Sequence, residues 1–595
     1  MRCHGEYLAG ISLRMRMRLL NPLLPMLCVA LLAGCASTRG PVPAQDEARE
    51  AETTPAPPFA EPAPRAEALD AEIVYNALVG EIAIQRGELM VGYEHQILVA
   101  EAAGDPRAAE RAARLALLMK EPALAREAVE QWVALAPNDL AARQLAAMLA
   151  QREGAEDVAL EHLEAIVRIG EAAGEDGFLH AMSALRREHG ADDGALSLMR
   201  RLMERHPEDP RAGYALALGA MIGKDYPLAL EYAHALVARH PGWVRGRLLV
   251  SRIHVAREEK AEATEFLRRS VDQYPDQPLL RTAYARLLLD ARRTRDAYAQ
   301  FLRLRELTPG EADVHFSLGM IALELERQAD AEEHLLAMRE LDDGSEKSAY
   351  YLGRVAELRD MPQEAIGWYR KVRQGGLVYE AQTRSAWLMA RQGELAVARD
   401  WLQGLRIRVP KRSVELYLLE AEMLKEHGSE GEVMVLFERA LLAHEAEPDL
   451  LYARALYAIG QGHLQVLEED LRRVLADDPQ NADALNALGY TLADQTDRYQ
   501  EALELITRAL ELKPDSAAVL DSMGWVQYRL GNHAEALDYL RRAMEMLPDA
   551  EIAAHLGEVL WVTGARDEAR RVWDGALEQD PQSVHILETR QRLEP

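Results

Sequence analysis

From Ile73 to Pro581 apolar and small residues follow a helical rhythm, and that rhythm itself recurs. Pro207, Pro241, Pro275 and Pro309 stand 34 residues apart, and Pro479, Pro514, Pro548 and Pro581 follow at intervals of 35, 34 and 33. Aligned on these prolines, Gly524, Gly531, Ala536, Ala543 and Pro548 occupy positions 8, 15, 20, 27 and 32 of one unit, and Gly557, Gly564, Ala569, Ala576 and Pro581 occupy the same positions of the next. Small residues at 8 and 20 let two helices cross closely, alanine at 27 lies under the following unit, and proline at 32 ends the second helix. Each unit is thus predicted to be a helical hairpin, helix A followed by helix B. The 509 residues from Ile73 to Pro581 hold about 15 of them, stacked as a solenoid in which each hairpin touches only its neighbours. The same phase runs through Gly80, Gly87, Ala365 and Tyr369, whereas the stretch from Arg412 to Glu447 keeps the length and loses most of the signature. Residues 582–595 are predicted to form a capping helix over the last apolar edge.

The segment ahead of the array has a different pattern. Met15-Arg16-Met17-Arg18 precedes an apolar run, Leu19 to Leu32, which has the layout of a secretory signal. The run is too short to span a bilayer and is interrupted by Asn21, Pro22 and Pro25. It closes on Leu32-Ala33-Gly34-Cys35, which resembles the bacterial lipobox and implies a diacylglyceryl group on Cys35. Residues 1–34 are therefore read as a signal peptide, with translation expected to start at Met15 or Met17. By the same resemblance Ala36, where an inner-membrane lipoprotein carries aspartate, directs the chain to the outer membrane, facing the periplasm. Residues 35–70 contain seven prolines among alanine and glutamate and read as an extended tether, with a reach of roughly 100 Å at about 3.1 Å per residue.

Composition narrows the function. Alanine, leucine, glutamate and arginine dominate and aromatic residues make up 6%, which favours helices and leaves little for strands. The formal net charge of −28 repels a phosphate backbone, so nucleic acid is excluded as a partner, and membrane attachment is left to the lipid alone. The three cysteines, Cys3, Cys28 and Cys35, all precede the array, so no disulfide or thiolate metal site is expected within it.

Candidate chemistry is sparse. Gly219-Ala220-Met221-Ile222-Gly223-Lys224 is one residue short of a phosphate loop, continues with Asp225 and lies between two predicted helices. His206 and His240 are 34 apart because the repeat is, and both precede a proline. No catalytic residues, metal ligands or cofactor site are assigned, and the protein is expected not to be an enzyme. Binding is expected on helix A positions 2, 5, 9, 12 and 13, which would line a concave face free of packing duty. In the last three units these hold Asn486, Tyr490 and Asp494, then Asp521, Trp525, Tyr528 and Arg529, then Glu551, Glu558 and Trp561. Aromatic platforms beside hydrogen-bonding groups suit an extended peptide. A second aromatic set, Tyr350, Tyr351, Trp387 and Tyr417, is read as core.

The signature over Gly524 to Pro581 resembles the tetratricopeptide repeat (TPR), which implies an all-α, right-handed superhelix. The opening Tyr75 to Leu89, then Trp132 to Asn138, Ala487 to Asp494 and Asp521 to Trp525 are similar to the long TPR lipoproteins of proteobacterial outer membranes. The resemblance to the LbcA type among them implies an adaptor that binds a periplasmic carboxyl-terminal processing protease, a serine protease with a PDZ domain, and presents peptidoglycan hydrolases to it. The alternative is a structural scaffold in envelope biogenesis, serving polysaccharide export, pilus assembly or outer-membrane protein assembly.

Overall fold

The computed structural model describes residues 70–185, 193–342 and 344–594. The signal, the lipid attachment at Cys35 and nearly all of the tether lie outside the described residues. Among those described, regular structure is wholly helical: 31 α-helices, from Ala71–Gln85 to Val584–Leu593, and one 3-10 turn at Pro410–Arg412. The chain forms two compact units, divided between Glu326 and Arg327. The first unit contains seven successive hairpins and then the helix Ala312–Glu324; the second opens with Gln328–Leu341, continues through seven hairpins and ends on the single helix Val584–Leu593.

The boundaries follow from the residues predicted to set them. Helices Tyr499–Leu512, His533–Met546 and Arg566–Gln579 each stop two residues before Pro514, Pro548 and Pro581, because the residue preceding a proline is sterically barred from helical geometry. At position 8 the absence of a side chain is required: a Cβ on Gly557 would lie 1.9 Å from Nε1 of Trp573, and one on Gly524 would lie 2.6 Å from Cγ of Leu540. Ala536, Ala543 and Ala569 are fully buried where the paired helices cross. In the first unit the early core is largely alanine, including Ala108, Ala109, Ala112, Ala113, Ala125 and Ala128, so those helices approach closely with little side-chain volume between them.

One feature of the period belongs to the backbone. The turn between helices A and B needs a residue in the left-handed region, which glycine adopts freely. Gly531 and Gly564 supply it with φ of 85° and 92°. Lys224, Glu258, Arg292, Glu326 and Asp360, each 34 residues from the last, adopt it with φ between 54° and 65° although none is glycine. The period therefore persists through units whose signature glycine has gone.

Mid-chain, Tyr350, Tyr351 and Tyr417 are buried and Trp387 half-buried. Tyr350 and Tyr351 meet edge to face at 5.0 Å, and the Tyr350 hydroxyl donates to Glu380. Buried ion pairs brace the neighbouring hairpins. Glu420, fully buried, accepts from Arg399 at 3.0 Å and lies 2.8 Å from the buried Arg406. Asp470 is gripped through both oxygens by Arg454, each at 2.7 Å.

Candidate partner-binding surface

The residues expected to line a groove come from three successive A helices of the second unit, Ala482–Gln495, Ala517–Arg529 and Ala550–Val562. They divide into small groups. Asp521 holds both carboxylate oxygens 3.0 Å from Nδ1 of His555, one unit on, and both residues are buried. Trp525 stacks on the same imidazole, with ring centres 4.3 Å apart and planes inclined by 27°. The Tyr490 hydroxyl lies 3.3 Å from His555 Nε2 and donates to Glu551 at 3.3 Å. Burial acts to lower the His555 pKa, and Asp521, followed by Glu551 and Asp494, more than reverses this, holding it at about 9. Burial, then Glu551, raises the Tyr490 hydroxyl well above its usual value.

A second group is linked to the first through Trp525, whose ring centre is 5.2 Å from that of Tyr528. The Tyr528 hydroxyl donates to Glu558 at 3.2 Å, and Arg592 of the last helix binds both oxygens of that carboxylate. Burial and Glu558 push Tyr528 up to about 12. Arg529 donates to the Asp494 carbonyl at 3.1 Å and to the Tyr499 hydroxyl at 2.8 Å. Trp561 stands apart, half-buried beside Trp573, with the guanidinium groups of Arg566 and Arg570 at 5.0 and 5.1 Å from its ring centre. Asn486, half-buried, joins none of these groups, and its Oδ1 has no hydrogen-bond partner among the described residues.

Two expectations differ from this arrangement. Asp521, Trp525 and Glu558 are buried, because partners one unit away fill the space an empty groove would have left. Asn486, Tyr490, Asp494, Tyr528, Arg529 and Trp561 are half-buried and keep part of their surface. Hairpins also touch beyond their neighbours. Tyr490 reaches Glu551 and His555, 61 and 65 residues on, across the hairpin between. In the first unit Arg245 similarly lies 3.8 Å from Asp176, 69 residues back. Contact between alternate A helices places helix A on the inner side of the bend.

Sequence reasoning missed His555 and Arg592. His555 sits at position 6 of its unit, one step off the expected stripe, and Arg592 lies in the capping helix. Asp521 and His555 are 34 residues apart. That separation is one more than the 33 residues between Gly524 and Gly557, and this nearness to the period was the available signal, since residues about one period apart stand side by side on adjacent hairpins.

Paired helices with a small residue at position 8, a left-handed turn, and a proline after helix B define a TPR scaffold, a class that mediates protein–protein interaction. Tetratricopeptide-repeat patterns match residues 214–278, 282–346, 452–517 and 498–549. The chain belongs to the same family as the TPR repeat-containing protein PA4667 of Pseudomonas aeruginosa, with 34% identity over 547 residues covering 91% of this chain and 90% of the relative. Similar solved structures include a thermophilic TPR protein of Thermus thermophilus, at 27% identity over 30% of this chain and 96% of that one, with a TM-score of 0.27. Yeast Tom70 is similar at 14% identity over 69% and 99% of the two chains, with a TM-score of 0.25.

Proposed function

We propose that this TPR scaffold is an outer-membrane lipoprotein, anchored through Cys35 and facing the periplasm, that acts as an adaptor. It binds a carboxyl-terminal processing serine protease with a PDZ domain and presents peptidoglycan hydrolases to it. The observation that carries the reading is the row of half-buried groups on the inner helices of the last three hairpins. Asn486, Asp494, Tyr528, Arg529 and Trp561 offer apolar contact and hydrogen-bonding groups along one face. An adaptor accelerates cleavage by holding two proteins together, and short flexible linkage gives local concentrations of roughly millimolar. The resemblance to outer-membrane TPR lipoproteins supports the location and the partner class.

The test is affinity capture with the detergent-solubilised full chain, followed by cleavage assays with the captured protease and a cell-wall hydrolase. Cleavage is expected to need the adaptor and no added cofactor. Asn486→Ala with Trp561→Ala should weaken capture while helicity is unchanged. Undiminished capture would move docking to another face, and hydrolase cleavage by the purified chain alone would sink the adaptor reading.

A further inference from the structure

The first helix, Ala71–Gln85, is apolar on two opposite faces. One face buries Asn76, Gly80 and Ala83 against the following helix, Leu89–Ala103. The other presents Val74, Tyr75, Leu78 and Ile82, which are 37%, 62%, 59% and 48% exposed. No other described helix leaves more than two large apolar side chains exposed. At about 100° per residue these four side chains fall within roughly one quadrant, on the side away from the packed face. An apolar stripe on the side of a helix opposite its packed face is surface that a partner can cover. At the other end of the described chain the corresponding edge carries the Val584–Leu593 helix.

We infer that this face pairs with the same face of a second copy, the two helices running antiparallel about a two-fold axis at Leu78. The stripe is self-complementary in that register: Leu78 meets Leu78, and Val74 of each copy meets Ile82 of the other. The charges fit the same arrangement. Glu72 and Arg86 lie on one flank of the stripe at opposite ends of the helix, and neither forms an ion pair with another described residue. In that register Arg86 of each copy is level with Asp70 of the other and two residues, about 3 Å along the axis, from Glu72, within side-chain reach of both carboxylates, and the symmetry repeats the contact at the other end. Parallel pairing would instead align Glu72 with Glu72 and Arg86 with Arg86. The antiparallel arrangement also opposes the two helix dipoles.

The test uses the full chain in its native envelope, with the photoreactive benzoylphenylalanine in place of Tyr75, which keeps the face aromatic. Irradiation should give an adduct of twice the monomer mass. Glu72→Arg or Arg86→Glu should each reduce its yield, by about fivefold, and the double exchange Glu72→Arg with Arg86→Glu should restore it. Leu78→Glu should abolish it with helicity unchanged. Three results would overturn the inference: an adduct within one chain, which would show that residues 1–69 cover the face; an adduct with a different protein; or failure of the charge exchange to restore the dimer while each variant remains helical.

Discussion

His555 and Asp521 stand on adjacent A helices, with Nδ1 of the imidazole 3.0 Å from each carboxylate oxygen, both side chains being closed off from solvent. The pairing makes the last hairpins sensitive to pH. A free imidazole titrates near 6.5, and His555 in the folded chain titrates near 9. Below 6.5 the ring is charged in both states and the pairing contributes fully; the contribution is lost as pH rises through 9. Thermal unfolding of the carboxyl-terminal hairpins should shift downward between these pH values, the stabilisation lost being on the order of 3 kcal/mol. Asp521→Asn should flatten that dependence, and an unchanged pH profile in this variant would remove Asp521 as its source.

The Tyr490 hydroxyl should couple hairpins that are not adjacent. Tyr490→Phe is expected to cost about 1 kcal/mol. Combined with Glu551→Gln it should cost less than the two single changes together, because both act on one bond. Urea unfolding of the four proteins gives the cycle, and strict additivity would show that the contact spanning the intervening hairpin carries no energy.

Turn and crossing positions should respond in opposite directions. Gly557→Ala sets a methyl group into the Trp573 indole and should destabilise the terminal hairpin by about 1 to 3 kcal/mol, visible as a change in tryptophan fluorescence. Arg292→Gly relieves a left-handed φ of 59° and should stabilise its turn by about 1 kcal/mol. A loss of stability in Arg292→Gly would mean that the arginine side chain has a role outweighing the backbone strain.

Glu420 lies within ion-pair distance of three arginines, Arg399, Arg406 and Arg439, and Arg399 has Glu432 as a second partner. Glu420→Gln leaves the buried Arg406 without its anion and should destabilise the hairpins around it by about 3 to 5 kcal/mol. Hydrogen exchange should locate the loss over residues 395–443, sparing the last three hairpins if stability is local. Uniform loss of protection through residue 594 would show instead that the second unit unfolds as a whole.

The period, the hairpins and the residues that end them were legible because one steric requirement is written repeatedly: small at Gly524 and Gly557, a break at Pro548 and Pro581. The turns at Lys224, Glu258 and Arg292 were not, because a left-handed φ imposed by the stack leaves no mark when the residue is not glycine. At the candidate surface, helix A positions assigned the residues to three successive A helices and left open which side chains pack against one another. Asp521 reads as an accessible carboxylate until His555 is set beside it, and that pairing depends on how far one hairpin rotates from the next. The second apolar face of Ala71–Gln85 was likewise hidden, since Val74, Leu78 and Ile82 look like core until Asn76, Gly80 and Ala83 occupy the packed side.

Because Tyr490 bridges to a hairpin two places further on, lengthening this part of the stack must break side-chain bonds before any hairpin opens. The contact acts as a strut across one hairpin step: it fixes the distance between the A helices Ala482–Gln495 and Ala550–Val562. A ligand seated there meets a gauge of set dimensions. Stretching and recoil then belong to stretches of the coil without such struts.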